Sequence, residues 1–367
     1  MITRIYADNY KSLSNFTLEL KSLSLILGEN GTGKTTAVEV VDKLRRLVVE
    51  GQSLGDLFAR KSCTRWDERL QQKYELDLTE QGSEYRYLLT LEFWGVDGCR
   101  ILSEKLLLGG KPLFEAELAG DGDFQTQLYR DDHSKGPKLL SDWERSGLAR
   151  LQARHDNTKL VRFRQRLNEV FWVTVDPWGM KGRSESEDAR PDPTLSNWVS
   201  WYRHVLQEEN GFFVGLQKDV EQAIPGFRDL QLSKVGSSQR DLRVQLGSHY
   251  YDLMELSEGQ RTLLVLYILL HRAIRSGQTL ILDEPENFVT LREMQPWLTA
   301  VQDRVAEGAQ VVLISHHPEF VNYLAADCGI VFSREAGTPA RAKRWEESES
   351  TLAPAELMAR GLLGAAE

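Results

Sequence analysis

The sequence predicts an α/β fold with a central, mostly parallel sheet, an N-terminal antiparallel meander and an inserted helical subdomain. Three patterns lead there. Leu23-Ser-Leu-Ile-Leu27 is a short apolar run of buried-strand length, and a glycine-rich turn joins it to a stretch of helical period. Leu280-Ile-Leu282 and Gln310-Val-Val-Leu-Ile314 are further apolar runs, the first ending in two acids and the second in histidines. From Lys73 to Tyr129 apolar and polar residues alternate between glycines, the pattern of an antiparallel meander.

Taken in order, residues 2–7 and 16–20 read as strands, with Asn9-Tyr-Lys-Ser-Leu13 as a turn-like joint between them. The helix expected over 35–49 offers Ala37, Val38, Val40, Val41, Leu44 and Leu47 for burial. In the meander, 74–78, 85–93 and 101–108 read as strands, broken at Gly82, Gly95, Gly98 and Gly109-Gly110. Residues 138–167 read as helical, and the Ser- and Asp-rich stretch 181–193 as a mobile loop. Residues 193–224 read as two helices, whose Trp198 and Trp201 suit a core better than a base-stacking platform. Strands at 230–232 and 242–246 lead to an apolar helix over 261–274, and a strand at 329–332 and a short helix after Pro354 close the chain. The resulting division is an N-terminal lobe 1–135, a helical subdomain 136–227 and a C-terminal lobe 228–367.

Composition narrows the class. At 367 residues the chain can bury a sizeable core, as one large domain or as two lobes. A mean hydropathy of −0.39 and no apolar stretch long enough to span a bilayer argue against a membrane partner. The opening Met-Ile-Thr-Arg-Ile-Tyr has strand rather than signal-peptide character, so a cytoplasmic location is expected. Cys63, Cys99 and Cys328 are scattered and odd in number, which supports neither a disulfide framework nor a zinc site. A net charge of −9 argues against a broadly nucleic-acid-coating surface. The local exception is 145–166, where Arg150, Arg154, Arg162 and Arg164 are candidates for a nucleic-acid contact or for a solvated helix face.

Gly28-Glu-Asn-Gly-Thr-Gly-Lys-Thr35 fits the pattern G-x-x-x-x-G-K-[ST], between a strand and a helix as phosphate binding requires. Glycines let backbone N–H groups turn inward around phosphates, and the helix start adds the positive end of a dipole. Lys34 would neutralise β- and γ-phosphates, and the Thr35 hydroxyl would hold Mg²⁺. Three further motifs follow in order: Leu256-Ser-Glu-Gly-Gln260 at the head of the apolar helix, Asp283-Glu284-Pro285, and Ser315-His316-His317.

Together these resemble the phosphate loop, signature motif, Walker B strand and switch histidine of the ABC-type ATPases, which makes the implied fold an ABC-type P-loop NTPase. The layout is similar to the non-transporter members, the OLD, RecF and SMC group, and most of all to stand-alone OLD-like bacterial ATPases. Asn9-Tyr-Lys-Ser-Leu13, the meander, Ile224-Pro-Gly-Phe227 and Asp283-Glu-Pro-Glu-Asn287 carry that similarity, which covers nearly the whole chain. Asn287-Phe-Val-Thr-Leu291 departs from the Gly-Leu-His-Pro that often follows the acids, in a loop the family uses at its dimer contact. The 50 residues after His317 are too few for the Toprim domain of OLD nucleases, and SMC-like heptads are missing. An ATPase head without its own nuclease or arm is therefore expected, and Asp121-Gly-Asp123, in a Gly-rich turn, is not expected to act as a nuclease cluster.

The resemblance implies an Mg²⁺-dependent ATPase. ATP contacts would come from Asn30, Gly31, Thr32, Gly33, Lys34, Thr35 and Thr36, and from Ser257, Gly259 and Gln260; Thr35 and Asp283 would hold Mg²⁺. Glu284 would polarise the attacking water, and His316 rather than His317 would meet the γ-phosphate, because the family's histidine directly follows the Ser or Thr. Gln71 and Gln72 are candidates for the Q-loop glutamine. The signature of this group reaches ATP held by a second subunit, so a homodimer with two sandwiched ATPs is implied. The expected role is regulation of a separately encoded effector, such as a nuclease, in anti-phage defence or a toxin-like system. The alternative is a RecF-like repair ATPase; a transporter subunit ranks third, since the meander and inserted helices exceed what that class carries.

Overall fold

Apolar residues at every second position organise the first part of the chain, because a sheet with one wet face buries alternate side chains. The computed structural model describes residues 1–95, 98–119, 123–209, 211–345 and 353–359. Contacts divide it into two units, Met1–Val170 with Asn322–Glu367, and Phe171–Val321. Of Asp121-Gly-Asp123, Asp121 and Gly122 lie outside the described residues.

In the first unit, β1 (Ile2–Asp8) and β2 (Phe16–Glu19) pair as an antiparallel hairpin. Asn9 and Lys11 in the joint take left-handed φ values of 60° and 52°. Asn9 is fixed there: its amide donates to the carbonyls of Arg69 and Gln71, and its Oδ1 accepts from the Thr64 N–H. β3 (Leu23–Gly28) leads into α1 (Lys34–Arg45), which runs on through a π-helical turn, Arg46–Glu50, before the short α2 (Leu54–Leu57). All six apolar residues offered by this helix are buried.

The meander follows as β4 (Gln71–Glu80), β5 (Ser83–Trp94), β6 (Gly98–Leu108), β7 (Lys111–Leu118), β8 (Phe124–Tyr129) and β9 (Lys135–Leu140). With the hairpin it forms an eight-stranded antiparallel sheet in the order β2-β1-β4-β5-β6-β7-β8-β9. α3 (Thr158–Asn168) covers its buried face, placing Phe163 5.8 Å from Tyr85 and 6.0 Å from Tyr87, ring centre to ring centre. The helix expected over 138–167 is thus confined to its end. Its start is the edge strand β9, which Gly136 and Pro137 favour over a helix, and whose side chains are mostly exposed and so show no alternation.

In the second unit, β10 (Val170–Thr174) and β11 (Arg183–Ser184) precede α4 (Trp198–Glu208) and α5 (Phe212–Ala223). Trp198 and Trp201 are fully buried, as expected of core residues. The stretch 181–193 is held in place rather than loose. Arg183 ion-pairs with Asp241 at 2.6 Å, and Asn197 bonds the Asp188 side chain, the Arg190 carbonyl and the Asp192 N–H. Its Ser and Asp content read as solvation, whereas short polar side chains here satisfy backbone groups. β12 (Phe227–Val235), β13 (Gln239–Leu246) and β14 (His249–Asp252) are antiparallel, with β11 also on β13.

α6 (Glu258–Ala273) is buried almost all round. β15 (Thr279–Asp283), α7 (Leu291–Ala306) and β16 (Gln310–Ile314) complete a parallel pair, β15 to β16, with every residue of both strands buried. The chain returns through α8 (Pro318–Cys328) to β17 (Gly329–Ser333), parallel to β3, then β18 (Arg341–Arg344), antiparallel to β17, and α9 (Pro354–Ala359). Among the described residues no helix is long and apolar enough to cross a membrane.

Candidate functional site

The glycine loop of the first unit is shaped by what it packs on. Gly28 has φ 140°, and a Cβ there would stand 2.3 Å from the Phe332 carbonyl oxygen on the neighbouring strand, so only glycine fits. α1 begins at Gly33 with no side chain capping it, which leaves its start to present backbone N–H groups. Lys34 is buried, and its Nζ donates to the carbonyls of Gly28 at 2.8 Å and Glu29 at 2.9 Å. The Thr32 hydroxyl donates to the Glu29 carbonyl at 2.8 Å, tightening the turn. Asn30, Gly31 and Thr35 are exposed, and Thr36 is half-buried. Arg334 reaches back to the Gly31 carbonyl at 3.3 Å and lies over the Trp66 ring at 5.5 Å, a contact with no signature in the sequence.

The second unit gathers the acids and histidines at the ends of β15 and β16. Asp283 is buried as the last residue of β15. Glu284 follows at φ 53°, its N–H donating to the Ile314 carbonyl at 2.9 Å. Its Oε2 accepts from Asn287 Nδ2 at 2.8 Å, and its Oε1 lies 3.7 Å from His316 Nε2. Glu286 is buried beside them and accepts from the Ser315 hydroxyl at 2.5 Å and from the His316 N–H at 3.3 Å. Burial pushes the Glu286 carboxyl above the usual carboxylate range. The His317 ring packs against Phe320, 6.3 Å away, with its Nδ1 4.0 Å from Glu319, whereas the His316 ring lies beside Glu284. Asn287, Glu286 and Ser315 carried no assigned role in the sequence, although the second acid of Asp-Glu-Pro-Glu was the available signal.

Leu256-Ser-Glu-Gly-Gln260 starts α6 through a capping box. Ser257 Oγ accepts from the Gln260 N–H at 3.2 Å, and Gln260 Oε1 accepts from the Ser257 N–H at 3.1 Å. A Cβ at Gly259 would stand 2.7 Å from the Phe288 carbonyl oxygen, so this glycine admits the loop after the acids onto the helix start. Phe288 itself has φ 71° and is 51% exposed.

The arginine stretch has intrachain partners throughout. Arg150 pairs with Asp142 at 3.1 Å and Arg154 with Asp156 at 3.3 Å. Arg162 donates to Gln81 at 3.3 Å, and half-buried Arg164 donates to the Leu151 carbonyl at 2.7 Å. Gln72 is fully buried, bonding the Asn9 carbonyl and the Tyr74 hydroxyl within the first unit, whereas Gln71 is exposed; both lie on β4.

The framework carrying these residues is the fold of ABC-type P-loop ATPases in its SMC head-like form. The SMC head domain from Thermotoga maritima superposes with a TM-score of 0.51 at 14% identity, over 94% of this chain and 99% of that one. The SMC head bound to the C-winged helix domain of ScpA gives a TM-score of 0.53 at 10% identity, over 95% of this chain and 98% of that one. The family model described as "AAA domain, putative AbiEii toxin, Type IV TA system" matches residues 205–322, from within α4 to within α8. None of the curated proteins matches this chain in sequence.

Proposed function

We propose that this chain binds and hydrolyses ATP with Mg²⁺, acts as a cytoplasmic homodimer that sandwiches two nucleotides, and regulates a separate effector. The observation that carries the reading is Lys34, a buried ammonium held against loop carbonyls at an uncapped helix start. A buried ammonium at a helix start is costly to leave uncompensated, and a polyphosphate is a ligand whose charge suits it. The donor set also suits a hard cation: the Thr35 hydroxyl and the Asp283 carboxylate would hold Mg²⁺, which when bound screens the phosphate charge.

Within that reading, the loop amides from Asn30 to Thr36 and Lys34 bind and orient the phosphates. Glu284 accepts a proton from the attacking water, with its Oε2 held by Asn287 and its Oε1 3.7 Å from His316. His316 faces the γ-phosphate. Ser257, Gly259 and Gln260 would meet the nucleotide of the second subunit, with the Ser257 hydroxyl and the α6 start as donors. The left-handed φ of Glu284, directly before a proline, is a backbone strain of the kind that collects at functional sites, worth about 1–3 kcal/mol.

We further infer an OLD-like regulator in a bacterial anti-phage or toxin-like system, supported by the toxin–antitoxin wording of the family model over residues 205–322. The second reading, a RecF-like ATPase of DNA repair, would use the same ATPase fold. The first test is calorimetric ATP binding. Lys34→Ala should weaken Mg²⁺-ATP binding by roughly 10- to 100-fold, the worth of charged hydrogen bonds. Unchanged affinity in a folded Lys34→Ala protein would remove the site.

A further inference from the structure

We propose that Glu286 is a positioning residue, clamping the loop that bears Glu284 to the loop that bears His316. The inference rests on the ATPase reading above. Glu286 stands two residues beyond Glu284 and is 6% exposed. One of its oxygens, Oε1, gathers both the Ser315 hydroxyl at 2.5 Å and the His316 N–H at 3.3 Å. Ser315 is fully buried in turn, and its Oγ accepts the His317 N–H at 3.0 Å. The amides of both histidines thus converge on one Glu–Ser pair. The Glu284 N–H bond to Ile314 fixes the same two loops one step nearer the strands.

The chemistry makes this acid a poor choice for mere packing. Its Oε2 is buried with no hydrogen-bond partner among the described residues. A buried carboxylate left half-satisfied costs more than an apolar side chain of similar shape. What Glu286 supplies, and an apolar residue cannot, is a directional acceptor that fixes the peptide carrying His316. His316 lies 3.7 Å from Glu284, so a shift of an ångström in either loop would change which groups meet at the reacting phosphate.

The test compares steady-state ATP hydrolysis and calorimetric ATP affinity for Glu286→Ala, Glu286→Gln, Ser315→Ala, His316→Ala and the Glu286→Ala/His316→Ala double variant. Glu286→Ala and Ser315→Ala should lower kcat roughly 10- to 100-fold, the range seen when groups that orient a site's ligands are removed, with ATP affinity within about twofold. Glu286→Gln keeps a carbonyl acceptor and should recover most of the loss. Because Glu286 acts through His316, its loss should cost less than about twofold in the His316→Ala background. Full kcat in Glu286→Ala, or an equal fold-loss with and without His316, would overturn the proposal. Should Glu286→Ala not fold, full kcat in Ser315→Ala would overturn it instead. An unaltered kcat in His316→Ala would overturn the clamp alone, whereas a wild-type chain that hydrolyses no ATP would overturn the ATPase reading and the clamp with it.

Discussion

Glu284 combines an ordinary acid with an unusual backbone, and the combination ties chemistry to local structure. A left-handed φ turns the chain abruptly at the end of β15, leaving Asp283 buried while the Glu284 carboxylate stays half-open between Asn287 and His316. Replacing it with Gln keeps the shape and the contact to Asn287 but removes the proposed proton acceptor. Glu284→Gln should therefore lower kcat by roughly 100-fold or more, as loss of a general base does, with ATP affinity unchanged. Phosphate release measured beside calorimetric binding checks this, and an unchanged kcat would assign the base elsewhere. The positions of Lys34 at a helix start and of Asp283 and Glu284 at a strand end were legible in the sequence, because fixed spacing from an apolar run dictates where such side chains emerge. Glu286 and Ser315 were not. Their partnership depends on the β15–β16 register, which pairs Asp283 with Ile314, and no spacing in the sequence reveals that pairing.

At the scale of elements, the meander holds a buried acid of its own. Glu104 on β6 accepts from the Tyr87 hydroxyl at 2.9 Å, the Gly147 N–H at 2.9 Å and the Ser146 hydroxyl. Burial pushes its carboxyl up to about 7. The folded state then holds a proton that the unfolded chain, titrating near 4.5, has given up. Stability from this group is complete below pH 4.5 and is lost as pH rises toward 7, by roughly 3 kcal/mol in all. Glu104→Gln removes the titration, so its stability relative to wild type should rise between pH 5 and pH 8. Urea midpoints of both proteins across that range test it, and parallel pH profiles would contradict it. The alternation of β4 to β6 was plain in the sequence because one face is buried. β9 escaped notice since an exposed edge strand has no alternation to display, and its stability comes from backbone bonds to β8.

At the scale of the whole molecule, the class of fold was readable from four motifs at the ends of the right elements, and the likeness to SMC heads bears that out. The sequence divisions at 135 and 227 fall inside the two contact-defined units, the first within the β9 strand. Periodicity marks elements, not which of them cluster. The signature motif has a local reason for each of its polar and glycine positions: Ser257 and Gln260 cap α6, and Gly259 admits the Phe288 carbonyl. Such a well-fixed helix start is also what a donor site for a second subunit's phosphate requires, since donors that are already ordered lose little entropy on binding.

Mixing two inactive chains tests that central claim most directly. If the proposed sandwich dimer holds, Lys34→Ala removes the phosphate cation from one half of a shared site, and Ser257→Arg blocks the other half. In a mixed dimer both defects fall in one composite site and the second site stays whole. ATP hydrolysis should therefore recover partially in the mixture, above the level of either variant alone. No recovery, with mixed dimers demonstrated by mass, would show that each chain hydrolyses ATP by itself and that the sandwich dimer is wrong.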